Sequence, residues 1–308
     1  MRRFLNLCWL AILAVAAFGC GSGDGGSGSS NLNPNPPLTI GSSQGRPAAV
    51  VLPADYSIES EYPLVILLHG YGVTAEIQDF IFRLTQRTTP FQFILVLPDG
   101  TVGLGGQRFW DATPQCCNFT GTPVDDVGYL ASLMEEAMEL YAVDPRRIRL
   151  VGHSNGGYMA YRYMCEHPVE IDRVAVLAGS TFIEAESCID PQPIDVLHMH
   201  GTLDDTILYP PNLPPDRLSP AALTIGAEAT VGRWAALSDC AAGLELIERR
   251  DYHQRIRIGD DPAETEVLRP GDCRAGNTIE LWRGVGADHL YISVNDSWRD
   301  AVATFLSE

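Results

Sequence analysis

Gly152-His153-Ser154-Asn155-Gly156 sets a serine between two glycines, with the apolar run Leu150-Val151 before it and Gly157-Tyr158-Met159-Ala160 after it. A strand that turns sharply into a helix holds the residue at the corner in strained dihedrals. Side chains at either flanking position would collide with the strand and the helix, which is why glycines stand there. Such a corner presents the Ser154 hydroxyl beside a helix N-terminus. A serine hydroxyl is a weak nucleophile until a base takes its proton, so the pattern demands a histidine and an acid that orients it, with the acid preceding the histidine in the chain.

Asp204, in His200-Gly201-Thr202-Leu203-Asp204, lies just beyond an apolar run and is the candidate acid, with Asp205 its neighbour and rival. His289, in Gly284-Val285-Gly286-Ala287-Asp288-His289, follows another such run and is the candidate base. His253 sits in a polar, Arg-rich stretch and reads as an exposed side chain, whereas His69, His153 and His200 end strands and read as local supports. The oxyanion formed on attack needs two fixed N–H donors, one from the residue after the nucleophile and one from the loop after the third strand. These are the backbone groups of Asn155 and Tyr71, so replacing their side chains is expected to be tolerated. Trp110, Tyr71, Tyr209 and the Pro-rich loop of residues 209–215 are the candidate walls of a substrate cleft.

The elements that must hold these groups follow from hydrophobic periodicity. Continuous apolar runs at 63–68, 93–97, 148–151, 174–178, 195–200 and 278–282 each end near a glycine or turn residue, as expected for strands buried on both faces. Apolar residues spaced by three and four predict a helix over 126–141, and 221–237 and 297–305 are further helices. The alternation predicts an α/β fold, a mostly parallel central sheet with helices on both faces, and a site at the carboxyl ends of its strands.

The 308 residues suffice for one large domain, assigned to 38–308. With 21 basic residues, all Arg, against 39 acidic, the net charge of −18 argues against a nucleic-acid partner. Residues 1–20 have the layout of an export signal: Arg2 and Arg3, an apolar run to Phe18, then Gly19-Cys20. Ala17-Phe18-Gly19-Cys20 reads as a lipoprotein-type cleavage site that leaves Cys20 lipid-modified and anchored to a bacterial membrane; the alternative is an ordinary cleaved signal. Residues 21–37, rich in Gly, Ser, Asn and Pro, form the flexible tether. An even set of cysteines in an exported domain favours disulfides over metal ligation, with Cys165 pairing with Cys188 and Cys240 with Cys273. The adjacent Cys116 and Cys117 are not expected to bond readily to each other. No C-x-x-C spacing or histidine cluster suggests a metal, and the chemistry needs no cofactor.

Six segments together resemble the polyhydroxybutyrate depolymerase and feruloyl esterase-like group of the α/β-hydrolases. They are Leu68-His69-Gly70, Phe109-Trp110 with Cys116-Cys117, Asp125-Asp126-Val127-Gly128-Tyr129-Leu130, the stretch 152–162, His200-Gly201-Thr202-Leu203-Asp204, and the ending at His289. They span most of residues 46–308. Trp110-Asp111-Ala112 departs from the group's Trp-Asn-Ala, Gly286-Ala287-Asp288-His289 from its Gly-Gly-Gly-His, and Leu290-Tyr291-Ile292 from its Trp-Pro. The resemblance implies an exported serine esterase acting on a hydroxyalkanoate polyester or its oligomers, with feruloyl or other short-chain esters as the alternative. An acyltransferase would use the same three residues. A surface-anchored binding protein that keeps the fold without catalysis is the reading from another class.

Overall fold

The computed structural model of the chain describes residues 32–166, 171–213, 222–253, 264–291 and 293–308. The export signal, Cys20 and most of the tether therefore lie outside the described residues, as do residues 214 and 215 of the Pro-rich loop.

Ten strands build the main sheet: β1 (Thr39–Ile40), β2 (Ala48–Val51), β3 (Tyr62–Leu68), β4 (Ile94–Leu97), β7 (Val143–His153), β8 (Arg173–Leu177), β9 (Asp195–Gly201), β10 (Leu244–Arg250), β11 (Thr265–Pro270) and β12 (Ile279–Gly284). Two short strands, β5 (Thr101–Val102) and β6 (Arg108–Phe109), pair separately. The order across the sheet is β1-β2-β4-β3-β7-β8-β9-β12-β11-β10. Its centre, from β4 to β12, is parallel, and both flanks are antiparallel.

Alternation along the central strands divides the core in two, because successive side chains of a strand point to opposite faces. On β3, Leu64, Ile66 and Leu68 face one way and pack with Leu130 and Leu133 of α3 (Asp126–Leu140), Tyr158 and Met159 of α4 (Asn155–Glu166), and Val231 and Trp234 of α5 (Ala227–Leu237). Val65 and Leu67 face the other way, toward Phe82 of α1 (Ala75–Phe82) and Trp298 and Val302 of α6 (Asp296–Ser307). A four-residue helix, α2 (Thr88–Phe91), precedes β4. Three of these helices start on side-chain caps: Thr74 accepts from Ile77 N at 3.3 Å, Asp125 from Gly128 N at 2.8 Å and Asn295 from Trp298 N at 3.1 Å. The fold is that of the α/β-hydrolases.

The chain leaves β3 for β4 on one side of the sheet and returns to β7 on the other. A crevice opens where such connections diverge, at the carboxyl ends of the strands. The loop after β3 and the corner after β7 both sit at that point.

Two differences from the sequence reading have physical causes. The polar stretch before residue 270 forms β10 and β11, because Glu266 accepts from Arg249 on one neighbouring strand and from Arg283 on the other, an ionic row in register across three strands. β10 is the sheet's outer edge, with Glu245, Glu248 and Arg249 exposed, while the opposite edge, β1, is two residues long. Helix α5 starts at Ala227 rather than 221, since Gly226 stands at φ 85°.

Cys165 is bonded to Cys188 and Cys240 to Cys273. Contrary to expectation, Cys116 and Cys117 are bonded to each other, across a cis peptide that sets their Cα atoms 3.1 Å apart.

Candidate active site

Ser154 is the single residue between the end of β7 and the start of α4, and its φ of 55° lies in the left-handed region that costs a non-glycine residue energy. Packing enforces that corner. A Cβ on Gly152 would collide with the main-chain oxygen of Gly156, and one on Gly156 with that of Leu68. The Ser154 N–H donates to Leu177 O of β8 at 2.9 Å, pinning the turn to the neighbouring strand. Gly70, in the loop after β3, passes so close that a Cβ there would lie 3.5 Å from Ser154 Cβ.

The Ser154 hydroxyl donates to His289 Nε2 at 3.0 Å, and His289 Nδ1–H donates to Asp204 Oδ2 at 2.8 Å. Asp204 and His289 are 85 residues apart in sequence, and their loops are laced together. Thr202 N donates to Gly284 O at 2.9 Å, Leu203 N to Ala287 O at 3.0 Å, and Gly286 N to Thr202 Oγ1 at 2.9 Å. This contact needs Gly201, because a Cβ there would strike the main-chain oxygen of Ala287. Of the two rival acids, Asp204 is buried and faces His289, whereas Asp205 is exposed and touches Thr206. His253 pairs with Glu264 at 2.5 Å and is bound into the β11 side of the fold.

Asp204 is a fully occupied carboxylate. Its Oδ1 accepts from Thr206 N at 2.9 Å and Ile207 N at 2.8 Å, and its Oδ2, besides His289, lies 3.3 Å from His200 Nε2. Burial pushes the carboxyl up, but the donors from His200 and His289 outweigh it and hold it far below the usual carboxylate range.

Behind Asp204 runs a buried chain whose proton positions are dictated by its ends. Ile207 O, 2.7 Å from His200 Nε2, can only accept, so that nitrogen carries a proton. In neutral His200, Nδ1 then accepts from His198 Nε2–H at 3.2 Å, and His198 Nδ1 in turn accepts the Tyr161 hydroxyl at 2.9 Å. Every donor in the row points toward the acid. Burial drives His198 well below its ordinary value, in keeping with a neutral ring.

His153 supports the base from below: its ring lies 4.9 Å from that of His289, and its Nε2 is 2.9 Å from the main-chain oxygen of His289. Burial, with the nearby His289 adding to it, lowers His153 to about 3. Gln78 was not singled out in the sequence. Its Oε1 accepts from Gly70 N at 3.0 Å and lies 3.0 Å from His153 Nδ1, joining the loop after β3 to the nucleophile's corner. No motif marks it, and only its burial on α1 reveals it.

Asn155 opens α4, whose first N–H groups have no partner inside the helix. Its side chain also binds the main chain of Trp110. Oδ1 accepts from Trp110 N at 2.7 Å and Nδ2 donates to Trp110 O at 3.0 Å. Trp110 is wholly buried, donates its indole N–H to His69 O at 3.0 Å and stacks near Tyr129, so it supports the loop from beneath instead of lining a cleft. Tyr209 also packs inward: its hydroxyl donates to Glu228 and its ring stands edge-on to His200. Tyr71 is 38% exposed and meets Phe119 edge-to-face at 5.1 Å.

The Esterase family model matches residues 43–249, two-thirds of the chain. The chain belongs to that family. This esterase-family chain has the α/β-hydrolase fold. It is 26% identical over 201 residues to feruloyl esterase B of Piromyces equi, covering 63% of this chain and 36% of that one. It is 26% identical over 165 residues to the bifunctional acetylxylan esterase/xylanase XynS20E of Neocallimastix patriciarum, covering 54% of this chain and 22% of that one. The esterase thus spans about a third or less of these relatives' length. Among solved structures, the acetyl xylan esterase of Aspergillus awamori shares the fold, with a TM-score of 0.56 at 13% identity over 85% of this chain and 95% of that one. The finer resemblance to polyhydroxybutyrate depolymerases rests on sequence motifs alone.

Proposed function

We propose that the esterase cleaves its ester through an acyl-enzyme on Ser154, with His289 as base and Asp204 as the acid that orients it. The observation that carries this reading is the unbroken row from Ser154 Oγ to His289 at 3.0 Å and from His289 to Asp204 at 2.8 Å. His289 takes the serine proton as Oγ attacks the ester carbonyl, and Asp204 stabilises the imidazolium. The backbone N–H groups of Tyr71 and Asn155 receive the oxyanion. His289 then protonates the leaving alcohol as the C–O bond breaks. A water, deprotonated by the same histidine, releases the acid and restores Ser154.

For the substrate, we favour acyl esters carried on carbohydrate, feruloyl or acetyl, over a hydroxyalkanoate polyester. The names of two relatives, the feruloyl esterase of Piromyces equi and the acetylxylan esterase/xylanase of Neocallimastix patriciarum, support this choice. Export through residues 1–20, with Cys20 as lipid anchor, would place the enzyme where such polymers occur.

The test is hydrolysis by the full chain of p-nitrophenyl acetate, methyl ferulate, acetylated xylan and a polyhydroxybutyrate suspension. Turnover of the first three is expected, with Ser154→Ala lowering kcat by about 10⁴-fold or more. Turnover that survives in Ser154→Ala overturns the nucleophile. Turnover of polyhydroxybutyrate alone overturns the substrate class.

A further inference from the structure

A cavity of about 500 Å³ lies between the segment after β6, the C-terminal end of α4 and the loop after β8. That volume falls in the range of small-ligand sites. Its lip is Phe119, 74% exposed, whose ring contacts Tyr71 at 5.1 Å. Tyr71 follows Gly70, which packs over Ser154. The far wall carries Arg162 and Glu166, paired at 2.8 Å, and Arg162 also donates to Asp111 O. From Ser154 to Arg162 the chain advances eight helical residues, about 12 Å at 1.5 Å per residue.

Charge and surface type narrow the ligand. Among the described lining residues the cation Arg162 is matched by Glu166 and a carbonyl, and the Asp111 carboxylate accepts from Asn118 Nδ2 and Val124 N, so no unmatched cation is left to hold an anionic group. Glu166 and the lining Gln115 still present acceptors and donors, the mixture that hydroxyls satisfy because each is both donor and acceptor. Phe119, Phe182 and the Cys116–Cys117 disulfide add apolar surface. A polyester chain has no hydroxyls along its length to meet this mixture. A neutral sugar ring has both C–H faces and hydroxyl edges.

We infer that this cavity is a subsite for a neutral sugar ring of the ester-bearing polysaccharide, with Phe119 as stacking platform and Glu166 as hydroxyl acceptor. The inference rests on the carbohydrate-ester reading above and assigns that preference to specific residues. It makes the esterase choose its substrate by the sugar as well as by the acyl group.

Two measurements test it. In the first, kcat/KM on a feruloylated xylo-oligosaccharide is divided by kcat/KM on methyl ferulate. The ratio is expected to exceed one in the wild type and to fall about tenfold in Phe119→Ala and in Glu166→Gln, with melting temperatures within a few degrees of wild type. A ratio that both variants leave unaltered overturns the subsite. A wild type that hydrolyses small esters without preferring the sugar-linked one overturns the subsite and leaves the esterase reading standing, whereas hydrolysis of neither ester overturns both. In the second, calorimetry with an unesterified xylo-oligosaccharide on Ser154→Ala separates binding from chemistry. Heat of binding that is lost in Ser154→Ala/Phe119→Ala is expected, and its absence in Ser154→Ala overturns the proposal.

Discussion

Asp204 is held by more donors than orienting a single histidine requires, and the row Tyr161–His198–His200 has only one arrangement of protons when its rings are neutral. Removing His200 strips one donor from a buried carboxylate and lets the others re-aim it. His200→Leu is expected to lower kcat by about tenfold, the effect of losing one hydrogen bond to a charged group. KM should stay within about twofold, and His200→Gln, whose amide N–H can still reach Ile207 O, should recover part of the loss. A fall in KM and kcat together, with no rescue by Gln, would mean that His200 only fills space.

The same burial sets a pH dependence. His69, His153 and His198 are all lowered from the ordinary value of 6.5, chiefly because burial disfavours the charged ring. Below that value the unfolded chain takes up protons that the folded chain refuses, so the folded state loses stability as pH falls. Each such ring contributes up to about 1.4 kcal/mol per pH unit. Melting temperature is expected to fall steadily from pH 7 to 4.5. The slope should be shallower in His198→Gln, and an equal slope in that variant would remove the ring from the account.

At the scale of elements, the site is assembled by glycines that let loops touch. Gly201 ends β9 where the Asp204 loop lies against the main chain at Ala287, two residues before His289. Gly201→Ala must push these loops apart. Overpacking of this kind typically costs about 1–3 kcal/mol, and here it also lengthens the bond between acid and base. Loss of kcat by more than about 10²-fold is expected, with the fold retained by circular dichroism. Wild-type turnover in Gly201→Ala would show that the two loops have room to spare.

Much of this scale was legible in the sequence. The strands at β3, β4, β7, β8, β9 and β12 announce themselves as continuous apolar runs, because a strand covered on both faces has no polar side to interrupt it. Ser154, Asp204 and His289 could be proposed for one site because each follows such a run. What stayed illegible was held by partners far away in sequence. β10 and β11 are strands on account of the Arg249–Glu266–Arg283 row, which no local window contains. Trp110 reads from sequence as a cleft wall, whereas its indole is bonded to His69 O, and Gln78 carries no pattern at all.

For the molecule as a whole, Cys165–Cys188 and Cys240–Cys273 close loops with sequence separations of 23 and 33 residues. Cross-links of that span restrict the unfolded chain and contribute about 3–4 kcal/mol each. The first ties the end of α4 to the chain beyond β8, beside the cavity. Full reduction is expected to lower the melting temperature by 10 °C or more, roughly 2–4 °C per kcal/mol for a chain of this size. Cys240→Ser/Cys273→Ser should remove about half of that. An unshifted melting curve after verified reduction would assign the stability to the apolar core alone.

The two rims of the ten-stranded sheet carry a consequence for how these molecules behave in a crowd. An open rim of backbone N–H and C=O groups is a template for recruiting another chain into a fibre. One rim here offers only two residues, Thr39 and Ile40, and on the other Glu245, Glu248 and Arg249 flank the exposed Leu246 and Ile247 of β10, with the chain's net charge of −18 adding mutual repulsion. Many copies can therefore crowd together without their sheets zipping into one another, so a high local concentration need not end in aggregation.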